Sequence, residues 1–124
     1  MLLIIKLALI ITGIIHVWPL LGVLGADRLL SLYGVVLSDP NLVLLMRHRA
    51  VLLGMLGAYL IAAAFVPHLR ASAFLLGLCS VVSFLALAMA GHGWNAGIER
   101  VVSADIVALV LLLSGAIAFM TRTD

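Results

Sequence analysis

Residues 71–90 read ASAFLLGLCSVVSFLALAMA, an uncharged run bounded by Arg70 on one side and by Gly91-His92-Gly93-Trp94-Asn95-Ala96-Gly97 on the other. Crossing a hydrocarbon layer of about 30 Å takes roughly 20 helical residues, which is the length of this run. It is a continuous apolar block without the alternation of a barrel strand, so a helix is expected. The glycine-rich segment cannot easily continue that helix and ends the span.

Three more such blocks lie outward from it. The first sits between Lys6 and Asp27. The second starts near Pro40, where Ser38-Asp39-Pro40 offers a cap and a proline for the first turn, and runs to Val66 before Pro67. The last runs from about Ile98 to Met120. The expected fold is all-α: a single integral membrane four-helix bundle over residues 1–124, with spans at about 4–26, 40–66, 71–91 and 98–120 and both termini on the same side. Met1 to Ile15, with Leu24-Gly25-Ala26 downstream, resembles a secretory signal, but its apolar run extends past a usual signal core and reads as the first span.

Composition agrees with a lipid solvent. Hydrophobic residues make up 66% of the 124 positions and charged residues 10%, with mean hydropathy +1.37, too apolar for a water-soluble domain of this size. The net charge of +2 includes no basic run or aromatic-interleaved patch, which excludes a nucleic-acid surface. The single cysteine, Cys79, forms neither an internal disulfide nor a CxxC pair.

Lys6, Arg70 and Arg122 mark the face of the termini, and Arg28, Arg47, Arg49 and Arg100 the opposite one. Discounting Arg47 and Arg49 as intrahelical, the positive-inside bias puts the termini of this multi-pass protein in the cytoplasm. Small residues recur at Ala50, Gly54, Ala58 and Ala62 in the second span and at Ala104, Ala108 and Ala116 in the fourth. Such rows let backbones approach in lipid, where apolar burial alone draws no helices together. They mark interfaces, within the bundle or with further copies or a larger complex.

Counted from the face opposite the termini, His16, Arg47 and Asp105 each lie roughly 10 to 12 Å deep at 1.5 Å per residue, with Ser80 and Ser83 at a comparable level. An aspartate or arginine within hydrocarbon costs a few kcal/mol and faces a partner or a wet cavity. Arg47 is angularly closest to the small-residue row, so the expected inward pair is Arg47 with Asp105, while Arg49 snorkels toward the headgroups. His92, Trp94, Asn95 and Glu99 in the last connection, with Asn41, are expected to line an entrance. The same pair has a purely structural reading as an ion lock between the second and fourth spans, with Trp18 and Trp94 as interface-belt residues.

Other chemistry finds little support. His16 and His48 share a rough depth on different helices, as haem ligands would, but there is no HExxH or comparable metal spacing. Asp105 lacks the second aspartate of a protease dyad, and nucleophile elbow, Walker loop and dinucleotide fingerprint are missing from the sequence. No catalysis, metal or cofactor is therefore expected. Length and charge balance are similar to those of the small multidrug-resistance exporters, but the glutamate those proteins carry in the first helix is replaced here by His16 alone, leaving Asp105 to exchange protons in a transporter.

The stretch His16 to Gly57, with Leu32-Tyr33-Gly34, Asp39-Pro40-Asn41-Leu42 and Arg47-His48-Arg49-Ala50, resembles a group of small bacterial four-helix membrane proteins with the layout of the DoxX-like superfamily. The resemblance covers the first half of the chain and implies a four-span bundle of varied function. Some such proteins are labelled phosphopantetheine adenylyltransferase, a cytosolic α/β enzyme with a His-x-Gly-His motif; this chain has neither feature. The expected role is that of a small accessory or structural membrane protein, or a binder of a lipid-like or quinone-like molecule with membrane lipid around it; the alternative is a small proton-coupled transporter acting as an oligomer.

Overall fold

In the computed structural model, which describes residues 1–122, four helices are long and apolar enough to cross a membrane. α1 (Leu2–Val17) continues as a 3₁₀ segment (Trp18–Leu24), and the short helix α2 (Ala26–Tyr33) follows. α3 (Pro40–Phe65) leads through a 3₁₀ turn (Pro67–Leu69) into α4 (Arg70–Ala90), and α5 (Ala96–Thr121) closes the bundle. α1 packs on α3 and α5, and α4 packs on the same two helices from the other side. Lys6 stands over the Phe65 ring and Phe74 meets Phe119, so the start of α1, the turn between α3 and α4 and the end of α5 share one face.

The apolar helical stretches run Leu2–Leu24, Pro40–Phe65, Pro67–Ala90 and Ala96–Thr121, and the first changes character at its end. Pro19 has no N–H to donate and its ring crowds the carbonyl of Ile15, so the chain tightens into 3₁₀ geometry after Val17. The connection beyond it carries a short helix of its own. α2 begins with Asp27 in its first turn and stops at Gly34, whose φ of +66° makes it a left-handed helix end.

The seams are built on close backbone approach. A Cβ on Gly57 would lie 2.6 Å from the Gly13 carbonyl oxygen and 2.7 Å from the Val17 nitrogen, so α1 and α3 touch main chain to main chain. The small-residue row of α3 is therefore Ala50, Gly54 and Gly57; Ala58 and Ala62, which a strict four-residue spacing selects, are exposed. Side by side with this seam, Leu60 of α3 is fully buried with Ile5, Leu9, Val81 and Leu112 in the central core. The outer surface carries the opposite pattern: Leu75, Leu87, Met89, Val110, Ile117 and Met120 are all largely exposed, as suits a chain solvated by lipid.

Arg70 sits at the α3–α4 turn and is only 4% exposed. Its Nε donates to the Ala63 carbonyl at 3.3 Å and its Nη2 to the Ala64 carbonyl at 3.1 Å. A cation thus occupies the negative end of α3 and satisfies carbonyls that a helix terminus leaves without partners.

Candidate functional site

At the opposite face the bundle opens into a cavity of about 740 Å³, within the range of small-molecule sites. Every span contributes polar lining: His16 from α1, Arg49 from α3, Ser80 and Ser83 from α4, and Arg100 and Asp105 from α5, with Arg28, Ser31 and Tyr33 from α2 above them. Arg49 lies nine residues after Pro40 and Asp105 nine after Ala96, so each is roughly 13 Å along its helix. Ser80 lies ten residues before Ala90, and His16 eight before Leu24, much of it in the longer 3₁₀ rise. The four spans therefore place one polar group each at nearly one level.

His16 is fixed at both ring nitrogens. Nδ1 lies 2.9 Å from the Thr12 carbonyl, which can only accept, so this nitrogen carries a proton. Nε2 lies 3.3 Å from Ser80 Oγ and, in the neutral ring, accepts the serine proton. Ser83 Oγ in turn donates to the Ser80 carbonyl at 3.0 Å. Both hydroxyl oxygens keep lone pairs for the cavity. Arg49 Nη1 donates to Tyr33 Oη at 3.0 Å, with its guanidinium 5.5 Å from the centre of the same ring. Asp105 lines the cavity as well, yet among the described residues no hydrogen bond or ion pair engages its carboxylate. Nor does any engage Arg28 or Arg100, both of which are exposed at the mouth.

The expected pairing of Arg47 with Asp105 is corrected here. Arg47 is exposed, its Nε donates to the Val23 carbonyl at 2.7 Å, and it does not line the cavity; Arg49 does. The small-residue row marks the α1 seam and not the centre of the bundle: Gly54 faces Leu20, and Ala50 lies beside Gly22. The face of Arg49, Leu53 and Leu60 is the inward one.

The expected entrance also differs, since none of His92, Trp94, Asn95, Glu99 and Asn41 lines the cavity. Trp94 Nε1, in the last connection, donates to Glu99 in the first turn of α5, His92 is exposed, and Asn41 bonds to Asp39 at the start of α3. Asn95 has a positioning role instead. Its Oδ1 accepts from Ile98 N at 2.8 Å, capping α5, while its Nδ2 donates to the Gly34 carbonyl at 3.1 Å. Gly97 packs directly on the Tyr33 backbone, where a Cβ would come within 2.5 Å. This latch holds α2, and hence Tyr33 and Arg28, over the cavity. His48 is exposed and off the lining, so it does not join His16 as a second haem ligand.

The residues that sequence reading missed are Arg49, Arg28, Arg100, Ser31 and Tyr33. Arg49 had a visible signal, because Leu53, Leu56 and Leu60 follow it at helical spacing and share its face. The α2 residues had Asp27 and Gly34 as helix boundary signals. No family model, no curated protein and no solved structure matches this chain.

Proposed function

We propose that this chain binds an amphipathic small molecule, lipid-like or quinone-like, with its polar end in the cavity between the spans. The observation that carries this reading is a cavity of about 740 Å³ into which all four spans direct a polar side chain at one depth. Polar groups in hydrocarbon are costly unless partnered, and Asp105, Arg28 and Arg100 have hydrogen-bonding capacity that the described residues do not use. Apolar walls from Ile15, Leu53, Phe84 and Val101 suit an attached hydrocarbon chain. The setting that fits is a bacterial inner membrane with cytoplasmic termini, and the resemblance to DoxX-like four-span proteins is compatible with a stand-alone binder or an accessory subunit.

Native mass spectrometry of the purified chain tests this directly. A co-purifying amphiphile, retained by the wild type and lost when Arg28→Met and Arg100→Met are combined, is expected; an empty spectrum over repeated preparations contradicts the reading.

A second reading draws on the same carboxylate. An aspartate facing a cavity without a protein partner also suits proton-coupled transport. Proton-driven flux in liposomes that Asp105→Asn abolishes would favour it over simple binding.

A further inference from the structure

Resting on that binding reading, we infer that the ligand's head group is a zwitterion, an anionic phosphate joined by a short bridge to a primary ammonium, carried on an apolar chain as in an ethanolamine phospholipid. The cavity sorts its chemistry by depth. At the mouth Arg28 and Arg100 offer only donors and positive charge, and neither has a partner among the described residues. On the floor the unused capacity is acceptor in kind: the Asp105 carboxylate and the oxygen lone pairs of Ser80 and Ser83, whose protons go to His16 and to the Ser80 carbonyl. Arg49, the floor cation among the described residues, is turned toward Tyr33.

A simple anion would use the arginines and be repelled by Asp105. A neutral carbonyl head brings no donor and would leave the carboxylate without a hydrogen-bonding partner in a low-dielectric site. A phosphate at the arginines with an ammonium below it satisfies both levels through charge-assisted hydrogen bonds. Arg100 and Asp105 are five residues apart, about 7.5 Å of helix rise, a separation that a phosphate, a two-carbon bridge and an ammonium span once the side chains reach inward.

The route for the attached chain is apolar and lateral. Trp18, Leu21 and Leu87 line the cavity and are also 65%, 43% and 74% exposed, so the border between the 3₁₀ segment and α4 is shared with the lipid-facing surface. The volume takes a head group and the start of one chain, with the remainder left in the bilayer.

The test offers the purified full-length chain phosphatidylethanolamine, phosphatidylcholine and phosphatidylglycerol of identical acyl composition in mixed micelles, and reads lipid retention by native mass spectrometry. Phosphatidylethanolamine is expected to be retained about tenfold better than phosphatidylcholine, whose trimethylated nitrogen has no N–H to give Asp105 and Ser80. In Asp105→Asn that ratio should fall toward unity. The wild-type comparison needs no variant, so it decides the matter even if Asp105→Asn fails to fold. Equal retention of the two lipids, or a preference for phosphatidylglycerol, overturns the zwitterion assignment and leaves amphiphile binding standing. Loss of specific retention in every arm overturns both. Soluble phosphoethanolamine competing as well as the lipid would overturn the requirement for an attached chain.

Discussion

Tyr33 and Arg49 are joined twice, by a 3.0 Å hydrogen bond from Nη1 to the phenol oxygen and by the guanidinium lying 5.5 Å from the ring centre. The tyrosine stands on α2 and the arginine on α3, so the short helix that covers the cavity also sets the direction of its floor cation. With Arg49 held toward Tyr33, Asp105 is left facing the cavity.

Tyr33→Phe removes the acceptor and keeps the ring. The loss in stability should be about 1 kcal/mol, the usual net worth of one such bond, as measured by unfolding in detergent. Arg49, once released, can turn to Asp105, so ligand retention should fall although the fold survives.

Gly57→Ala forces a methyl group against the α1 backbone. Overpacking of this kind costs about 1–3 kcal/mol, and neither the Gly13 carbonyl nor the Val17 nitrogen can move aside as a flexible side chain would. Ala58→Leu, one residue on but at an exposed position, should change stability by less than about 0.5 kcal/mol. Thermal unfolding of the two variants in the same detergent makes the comparison.

Arg70→Ala strips the end of α3 of a buried cation and two hydrogen bonds. A cost of about 2–4 kcal/mol is expected, since bonds to charged groups are worth more than neutral ones and the two carbonyls are left without this donor. Arg70→Lys should recover only part of it, because a single ammonium lacks the planar fork. Denaturant titration of the pair checks the order wild type, Lys, Ala.

Asn95→Ala breaks the cap of α5 and the latch on Gly34 together. Cap loss alone costs about 1 kcal/mol. The specific signature is local: amide exchange in α2 should accelerate, while exchange in the central core around Leu60 and Leu112 stays slow.

The four spans were legible because their evidence is additive along the chain: uncharged runs of the right length, with Pro40, Pro67 and Gly91 as punctuation. His16 and Asp105 could be placed at one depth for the same reason, since depth is a count of residues. Direction around a helix was harder. In an apolar span almost every face is hydrophobic, so small residues became the guide, and they identify a seam between two helices rather than the axis of the bundle. Choosing Arg47 over Arg49 followed from that substitution. The Asn95 latch and α2 depend on contacts between segments some sixty residues apart in sequence, and no local pattern records these.

The account stands on the cavity being occupied by a selected amphiphile. A photoreactive phenylalanine analogue in place of Phe84, on the cavity wall, should cross-link one lipid species far beyond its share of the membrane; the same analogue at Leu75, which is 64% exposed on the same helix, should capture lipids in bulk proportion. Identical adduct mixtures from the two positions would contradict the account.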